Sequence, residues 1–391
     1  MEKVYVVEAL RTPFGSFGGV LADVPAPKLA ATVISALLHK SGVAGDAVEQ
    51  VIAGHVLSGG AGQAPARQAM RFAGLPDGIP ALTINKVCGS GLKAMMLGAD
   101  AIRLGDAGVV VAGGMESMSL APYTLPAARF GLRMGTGQAI DLMIHDALTD
   151  PYSGRHMGEV AEARIAAHGL TREEQDAYAA DSYRRAQRAL QDGIFKAETV
   201  AVTKASRKGD VIVDSDEEPG RGDVAKLAGL RPVFAKDGSI TAGNASTIND
   251  GAAFALLAGE SAVQSLGLKP RARLVAYATN SLHPDQFPDA PVGAIERACA
   301  KAGLKPADID LWEINEAFAA VALIAIKELG LDREHVNVNG GAVAIGHPVG
   351  ASGGRLVATL IAEMQRRQAR YGLATLCIGG GEAVAAIFER V

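Results

Sequence analysis

The chain lacks several features that would place it in a common class of protein. It has three cysteines and no Cys-x-x-Cys pair, which argues against a disulfide framework and a structural zinc site. It has no long uncharged apolar run that could span a bilayer, and no basic run that would favour nucleic-acid binding. Its first apolar strand, residues 4–7, starts too early to leave room for a signal or transit peptide. We therefore expect a soluble cytoplasmic protein that binds neither membrane nor nucleic acid.

Composition and pattern indicate a globular α/β protein of more than one domain. At 391 residues, with 49% hydrophobic and 20% charged residues, the chain is longer than one hydrophobic core usually organises. Short apolar strands alternate with helices, as in strand 51–56 before helix 65–72 and strand 311–314 before helix 317–329. Strands that are apolar throughout predict a mostly parallel sheet covered by helices on both faces.

The two ends of the chain repeat one plan, which predicts an internal duplication. A glycine-rich turn at residues 88–91 precedes a buried helix and a strand that ends at Glu116. A second turn, residues 350–354, precedes another helix and a strand that ends at Glu382. The predicted parts are an N-terminal half of residues 1–119 with 250–270, an inserted loop domain of residues 120–249, and a C-terminal half of residues 271–391.

The middle region interrupts the alternation of strands and helices. Residues 171–174 form a capping box that starts a polar helix, and the acidic, glycine-containing segment 214–223 is predicted to be a surface loop. An insertion at this edge of a sheet commonly covers a ligand. A plain oligomer contact is the alternative, and both roles can hold.

Two cysteines and one histidine stand beside glycines, namely Cys88, Cys377 and His347. This set suits chemistry on a thioester, in which a thiolate nucleophile needs a base and backbone amide donors. Cys88 comes directly before a buried helix, where unpaired amides and the macrodipole favour the thiolate. The alternative for any single cysteine is a small buried hydrophobic residue, and Cys299 is interpreted in that way.

Four segments carry a resemblance to a known family, namely residues 85–94, 312–319, 339–353 and 377–381. On these motifs the chain resembles the thiolases over essentially its full length, and within them the acetyl-CoA acetyltransferases of the acetoacetyl-CoA type. The resemblance implies a duplicated α/β fold with two similar mixed-sheet halves, helices on both faces and an inserted loop domain, assembled as a homotetramer. It also implies an acyltransferase that condenses two acetyl-CoA molecules to acetoacetyl-CoA and CoA, or runs the reverse thiolysis.

The resemblance gives each matched catalytic position a role. Cys88 would attack the acyl carbonyl of a CoA thioester, His347 would take its proton, and Cys377 would be the acid and base for carbon. One oxyanion hole would consist of His347 and a water held by Asn315. The other would consist of the backbone amides of Cys88 and Gly379, so that no metal or prosthetic group is implied.

The resemblance also implies the residues that bind the CoA thioester. His156, Met157 and Ser246 would contact the pantetheine arm, with Phe318 beside it. Arg221 could meet the nucleotide end of CoA. The implied partners are therefore acetyl-CoA, acetoacetyl-CoA and CoA, which are substrates and products rather than cofactors.

Three positions differ from the family pattern or vary within it. Ala64 stands where asparagine is common, and Glu382 with Ala383 stands where a neutral residue and then glycine are frequent. Phe287 is followed by Pro288, as in the mitochondrial acetoacetyl-CoA thiolase that also handles a 2-methyl-branched substrate, whereas bacterial biosynthetic members typically have methionine and glycine. We expect activity on 2-methylacetoacetyl-CoA as well, the alternative being that Phe287 only packs the core.

Three other interpretations stay open at this point. A ketoacyl synthase of the related condensing enzymes would also use a cysteine nucleophile, but it would not need Cys377. A non-catalytic CoA-thioester binder would keep the fold and lose the reactive set. A metal site built from Cys88, His347 and Cys377 is the third alternative, and a zinc assay would decide it.

Overall fold

A computed structural model gives the fold for residues 2–206 and 209–391, so that Met1, Arg207 and Lys208 lie outside the described residues. The strands are β1 Val4–Arg11, β2 Gly15–Ser16, β3 Gln50–Gly54, β4 Ala81–Ile84, β5 Val109–Ser117, β6 Tyr123–Thr124, β7 Ile140–Asp141, β8 Val202–Lys204, β9 Val211–Val213, β10 Asn249–Gly259, β11 Ala272–Ser281, β12 Leu311–Ile314, β13 Tyr371–Ile378 and β14 Glu382–Arg390. The α-helices are α1 Ala26–Ser41, α2 Pro65–Phe72, α3 Ser90–Leu104, α4 Met157–Ala167, α5 Arg172–Gln191, α6 Glu260–Ser265, α7 Ala290–Ala302, α8 Ala319–Leu329, α9 Ala342–Ile345 and α10 Ser352–Arg367.

The main strands form one mixed sheet in the order β12-β13-β14-β11-β1-β10-β5-β3-β4, and β2 pairs with β10. Strands β3, β4 and β5 pair in parallel, as do β12 and β13. The other pairs, such as β10 with β5 and β14 with β13, are antiparallel. The prediction of a mostly parallel sheet was wrong, because a strand that is buried on both faces is apolar in either direction.

The order of strands repeats across the sheet, as a duplication requires. The N-terminal half runs β1-β10-β5-β3-β4 and the C-terminal half runs β11-β14-β13-β12, so that β5 corresponds to β13 and β10 to β14. The two halves join where β1 pairs with β11, with Val4 opposite Leu274. The predicted fold of two similar mixed-sheet halves is confirmed by this arrangement, while the exact domain boundaries stay a prediction.

Helices α3 and α10 pack together between the two halves, whereas α1 packs on the strands of the N-terminal half and α7 on those of the C-terminal half. Leu92 on α3 and Leu360 on α10 belong to one buried cluster with Phe388 on β14. The starts of the two helices are in close backbone contact, since a Cβ added at Gly91 would lie 2.9 Å from the Gly354 nitrogen. The fold therefore brings the turn before α3 and the turn before α10 to one place.

The region between β5 and β10 leaves the sheet and forms the insertion. It holds two short hairpins, β6-β7 and β8-β9, together with α4 and α5. The capping box at Thr171 and Glu174 is present as predicted. Among the helices of residues 2–206 and 209–391, none is long and apolar enough to cross a membrane.

The prediction of a surface loop for residues 214–223 is wrong for Asp216. Its side chain is buried and forms a 2.6 Å ion pair with Arg11, which also pairs with Glu198 at 2.6 Å. Acidic residues in sequence predict a solvated loop because an unpaired charge stays in water. The partner of Asp216 comes from β1, far away in the chain, so the local pattern could not predict this buried pair.

Candidate active site

Cys88 lies in the turn that starts α3. The residue before it, Val87, has a φ of 46°, which is unusual for a β-branched residue. The turn is held by Ser90, whose hydroxyl accepts from the Lys86 amide at 2.8 Å and donates to the Val87 carbonyl at 2.7 Å. Cys88 itself is only half-buried, so its thiol is within reach of a ligand in the cavity beside it.

His347 lies in the equivalent region of the C-terminal half, five residues before the start of α10. Its Nδ1 is 2.5 Å from the Ser352 hydroxyl, which also lies 2.9 Å from the Pro348 carbonyl. A hydroxyl has one proton, and the carbonyl can only accept it, so Ser352 donates to Pro348 and accepts from His347. The proton of the imidazole is therefore on Nδ1, and Nε2 carries the lone pair that can accept a proton.

Asn315 extends this arrangement on the other side of the imidazole. Its Nδ2 lies 3.4 Å from His347 Nε2, and both side chains are buried. Burial, with a smaller contribution from Arg355, lowers the pKa of His347 to about 3. The imidazole is therefore neutral at pH 7. Within the described part of the chain Asn315 Oδ1 has no hydrogen-bond partner, which leaves an acceptor beside His347.

Cys377 is near the end of β13, and Gly379 opens the turn between β13 and β14. Cys377 is buried beside Phe287 and Phe318 in one apolar cluster. Gly379 lies beside Cys88 in the same cavity wall, and its backbone amide acts to lower the pKa of the Cys88 thiol. The C-terminal strand end therefore supplies a second thiol and an amide donor to the place where Cys88 lies.

Both thiols are protonated in the free protein. Burial raises the pKa of Cys88 to about 11, although the Gly379 amide acts in the opposite direction. Burial and the neighbouring Cys88 raise the pKa of Cys377 well above its ordinary value. The expectation that the helix start favours the Cys88 thiolate was wrong in its net direction, because desolvation outweighs the nearby amides. A base is therefore needed to activate Cys88.

These groups line one cavity of about 200 Å³. It includes nine of the eleven residues predicted to bind or react: Cys88, His156, Met157, Ser246, Phe287, Phe318, His347, Cys377 and Gly379. Asn315 is not in its wall but lies behind His347. The structure thus brings together residues that are separated by almost three hundred positions in the sequence.

Arg221 is the predicted residue that does not reach this cavity. It lines a neighbouring groove and forms a 3.4 Å ion pair with Glu217. Phe234 and Ser246 line both the groove and the cavity, so the two spaces adjoin. Arg221 is therefore placed along an approach to the reactive groups rather than among them.

His156 is held in a fixed orientation on the wall. It is the N-cap of α4, where its Nδ1 accepts from the Gly158 amide at 3.0 Å and Glu159 bonds back to its own amide. The ring stacks on Phe234 with centroids 4.6 Å apart. Because Nδ1 is the acceptor, the ring proton is on Nε2. The His156 ring thus presents an apolar face and one hydrogen-bond donor, Nε2–H.

Several residues of the site were missed in the sequence. Part of the wall comes from the insertion and carries no polar signal: Met118, Ile144, Ala147, Leu148 and Phe234. Ser352 was recognised only as part of a glycine-rich turn. Its spacing of five residues from His347 at a helix start is the one signal that could have identified it.

Glu116 was also missed, although it connects the two halves. Its carboxylate accepts from the amides of Val56, Leu57 and Gly350 at 2.9–3.1 Å. Burial raises its pKa to about 7, against the effect of these amides. Glu116 thereby ties the end of β5 to the loop that carries His347.

Across residues 2–206 and 209–391 there is no cluster of three or more His, Cys, Asp or Glu side chains that could hold a metal ion. The groups that line the cavity are two thiols, a neutral imidazole and the Gly379 backbone, and such a set suits acyl transfer.

Comparison with known proteins gives consistent matches. The family model "Thiolase, N-terminal domain" matches residues 4–261, and "Thiolase, C-terminal domain" matches residues 268–390. The acetyl-CoA acetyltransferase of Pseudomonas aeruginosa is 53% identical over 392 residues, and that of Escherichia coli K12 is 49% identical over 393 residues. Each alignment covers 100% of both chains. The crystal structure of the Bacillus anthracis acetyl-CoA acetyltransferase has a TM-score of 0.98 and 42% identity, covering 100% of this chain and 99% of that one.

Proposed function

The chain belongs to the thiolase family, and we infer that it is an acetyl-CoA C-acetyltransferase. It condenses two acetyl-CoA molecules to acetoacetyl-CoA and CoA, and it cleaves acetoacetyl-CoA in the reverse direction. The observation that carries this inference is the meeting of two thiols, a neutral imidazole and the Gly379 amide in one apolar cavity. Relatives about half identical over their full length are named for the same activity.

The first half-reaction transfers the acetyl group to Cys88. His347 Nε2 takes the thiol proton as the sulfur attacks the thioester carbonyl, and the tetrahedral oxyanion collapses with release of CoA thiolate. The imidazolium then protonates the leaving thiolate, so CoA departs as a thiol. This role of His347 is supported by its tautomer, because Nε2 carries the lone pair.

The second half-reaction forms or breaks a carbon–carbon bond. In condensation Cys377 first gives its proton to His347, and the resulting thiolate removes a proton from the methyl group of the second acetyl-CoA. The carbon nucleophile attacks the acetyl carbonyl on Cys88, the Cys88 sulfur leaves and takes the proton from His347, and acetoacetyl-CoA is released. In thiolysis Cys377 returns the proton to the leaving enolate. The raised pKa of Cys377 supports this second role, since the thiol is protonated when it must act as an acid.

Two sets of donors stabilise the negative charge that develops on oxygen. The amides of Cys88 and Gly379 serve the carbonyl of the acetyl group on Cys88, which is supported by the place of Gly379 beside Cys88 in the cavity and by the effect of its amide on the Cys88 pKa. The second set is His347, whose Nε2 carries the proton taken from Cys377 at this stage, with a water held by Asn315. The buried Asn315 Oδ1 that lacks a partner among the described residues supports such a water.

The CoA arm enters along the groove beside the cavity. His156, Met157, Ser246 and Phe318 line the cavity and contact the pantetheine end, whereas Arg221 lies further out and meets the nucleotide end. The cavity volume of about 200 Å³ is below the roughly 300–1,000 Å³ of pockets for drug-sized ligands. This size favours a short acyl group over a long chain.

A second candidate activity is the cleavage of 2-methylacetoacetyl-CoA. Phe287 is buried in the cavity wall, with its ring centroid 6.4 Å from that of Phe318. The segment around it is fixed by ion pairs from Arg155 to Asp285 at 2.6 Å and from Arg164 to Asp289 at 2.8 Å. A rigid aromatic wall of this kind fixes the space available to a methyl branch beside the acyl carbon.

The assembly that we propose is a homotetramer in the cytoplasm. The insertion carries exposed apolar side chains, with Phe130 84% and Met134 100% exposed, and such a surface favours contact with another subunit. The edge strand β4 also exposes Leu82. The mechanism uses no metal or prosthetic group, which a zinc assay and an activity assay with a chelator would test.

The proposed function is tested by intact-mass analysis after mixing with acetyl-CoA. We expect one acetyl adduct, mapping to Cys88, in the wild type and in the control Cys299→Ala. Cys88→Ala should take no adduct and should have no thiolysis activity. An adduct that persists in Cys88→Ala would assign the nucleophile elsewhere, and a wild type with no adduct and no turnover would overturn the proposed function.

A further inference from the structure

An ion pair connects the two reactive turns directly. Lys86 Nζ bonds Glu382 Oε2, although the residues are 296 positions apart in the chain. Lys86 lies two residues before Cys88, and Glu382 opens β14 directly after the turn that Gly379 begins. Glu382 is also a position at which this sequence differs from the common thiolase pattern.

The same two turns touch through apolar groups, but these contacts alone do not fix their register. A Cβ added at Gly89 would lie 2.3 Å from Ile378 Cδ1, and one added at Gly379 would lie 3.7 Å from Val87 Cγ1. Such contacts set how close the turns can come and leave sliding along each other less restricted. Sliding would change the distance between the Cys88 sulfur and the Gly379 amide. The ion pair between Lys86 and Glu382 opposes this motion.

Both ends of the ion pair are attached to rigid parts of the structure. The Lys86 amide donates to the Ser90 hydroxyl at the start of α3, so a shift of Lys86 is transmitted through Val87 to Cys88. Glu382 pairs with Ser281 in the β11–β14 ladder and accepts from its hydroxyl at 3.1 Å. The Lys86–Glu382 ion pair, called the strut below, thus connects the start of α3 in one half to the β13–β14 hairpin in the other.

The strut matters more for geometry than for folding. The side chains of Lys86 and Glu382 are 25% and 30% exposed, and ion pairs that reach solvent contribute little to stability. Reaction rates are more sensitive, because a displacement of about 1 Å at a reacting centre can cost about 100-fold in rate.

We propose that Lys86 and Glu382 are positioning residues that hold the Gly379 amide against the Cys88 sulfur and so keep their shared oxyanion hole in register. The proposal rests on the proposed thiolase function. It is distinct from the roles of the reacting groups, since neither Lys86 nor Glu382 lines the cavity. Loss of the strut lowers kcat and the rate of Cys88 acetylation, while KM and the melting temperature stay close to those of the wild type.

The test compares Glu382→Gln, Lys86→Met and the double exchange of Lys86→Glu with Glu382→Lys. Each single variant should lose about tenfold or more in kcat for acetoacetyl-CoA thiolysis, and the exchange should recover part of that loss. The control is Glu260→Gln, which breaks the exposed pair between Glu260 at the start of α6 and Lys3, the residue before β1, and should leave kcat unchanged. A wild-type kcat in Glu382→Gln overturns the proposal, as does a loss of kcat that only follows a lower melting temperature.

A second readout does not depend on thiolase activity. The rate of Cys88 alkylation by iodoacetamide, at fixed pH, reports how well the Gly379 amide stabilises the thiolate. A negative charge near Cys88 disfavours its thiolate. If Glu382 acted only through this charge, its removal in Glu382→Gln would therefore speed alkylation. Loss of the amide contact would slow it by severalfold, which is the result that we expect for Glu382→Gln. Faster alkylation in that variant overturns the proposal, and the experiment stays decisive if wild-type turnover fails.

Discussion

The two halves of the duplicated fold join their corresponding strands by connections of very different length. In the C-terminal half β13 and β14 are joined by the three glycines 379–381. In the N-terminal half the corresponding strands β5 and β10 are separated by residues 118–248, which form the whole insertion. Both connections end beside Cys88 and His347. One places the Gly379 amide beside Cys88, and the other supplies much of the cavity wall.

The groups proposed to react and the groups proposed to bind CoA therefore come largely from different parts of the molecule. The groups that we propose to react lie on short turns or at a strand end, packed against buried strands and helices, where the backbone holds each of them in one orientation. The insertion contributes apolar wall residues, His156 on α4, and the groove that leads outward. Glu116 and Glu382 then cross between halves in opposite directions, to the Gly350 amide and to Lys86. Substitutions on the two sides should therefore have different kinetic effects.

Removing the second thiol should have the largest effect. Cys377→Ala should lower acetoacetyl-CoA turnover by about 10³-fold, since a positioned acid or base contributes roughly 10²–10⁴-fold. Cys88 should still take an acetyl group from acetyl-CoA, which intact mass would measure. Cys299→Ala is the matched control and should be close to wild type.

Turnover near the wild-type rate in Cys377→Ala would move the acid and base role elsewhere, with His347 as the next candidate. It would also favour a condensing enzyme that needs no second cysteine. Loss of acetylation together with turnover would indicate that Cys377 supports the structure of the site rather than the carbon chemistry.

The pH dependence of alkylation tests the raised pKa of Cys88 and its greater accessibility compared with Cys377. The pKa of Cys88 is raised to about 11, so its thiolate fraction should rise about tenfold per pH unit up to pH 9 or 10. The iodoacetamide rate should thus rise about 1,000-fold between pH 6 and pH 9. Cys88 should react before the buried Cys377. A plateau below about pH 8 would show that the amides outweigh desolvation.

The short turn can be tested at two neighbouring glycines. Gly381 has a φ of 86°, and an added Cβ would lie 2.6 Å from the carbonyls of Leu282 and His283. Gly380 has a φ of 89°, but its Cβ would meet nothing within 4 Å. Gly381→Ala should lower the free energy of unfolding by about 2–3 kcal/mol and kcat by about tenfold or more. Gly380→Ala should cost about 1 kcal/mol.

Denaturant unfolding and kcat, measured for both variants, would check this difference. Equal losses of unfolding free energy and of kcat in the two proteins would mean that the positive φ sets the shape of the connection. The contact of Gly381 with Leu282 and His283, which follow β11, would then not matter. The position of the Gly379 amide would then depend on the turn alone.

The family and the fold were predicted from motifs, and the comparisons and the structure confirm them. The positions of Cys88, His347 and Cys377 at helix starts and strand ends follow from glycine-rich segments that only a turn accommodates. Whether neighbouring strands pair in parallel or antiparallel could not be predicted, because a strand buried on both faces is apolar in either case. The tautomer set by Ser352 was also not predictable, since it depends on two distances of less than 3 Å. The roles of the site residues stay predictions that the experiments above address.

On the recognition side, Phe287 should affect which substrate is cleaved rather than how fast. One methyl group in a pocket is worth about 1–3 kcal/mol of discrimination. Phe287→Met should therefore lower kcat/KM for 2-methylacetoacetyl-CoA by about tenfold relative to acetoacetyl-CoA, because a flexible side chain replaces a fixed ring. Comparing both substrates in both proteins measures this ratio. An unchanged ratio would leave Phe287 as a packing residue only.

The smallest effect concerns the helices that follow the equivalent strands β3 and β12. Helix α8 begins after Phe318, whose backbone is extended, whereas α2 begins after Ala64, which has a φ of 51° and no side-chain cap. Asparagine tolerates this conformation and can accept from a first-turn amide, so Ala64→Asn should raise the free energy of unfolding by about 1 kcal/mol. Ala73→Asn, at the right-handed C-cap of the same helix, is the control and should bring no gain. Urea unfolding of both variants measures the difference, and an equal change in the two would show that the strain at Ala64 is already relieved by its surroundings.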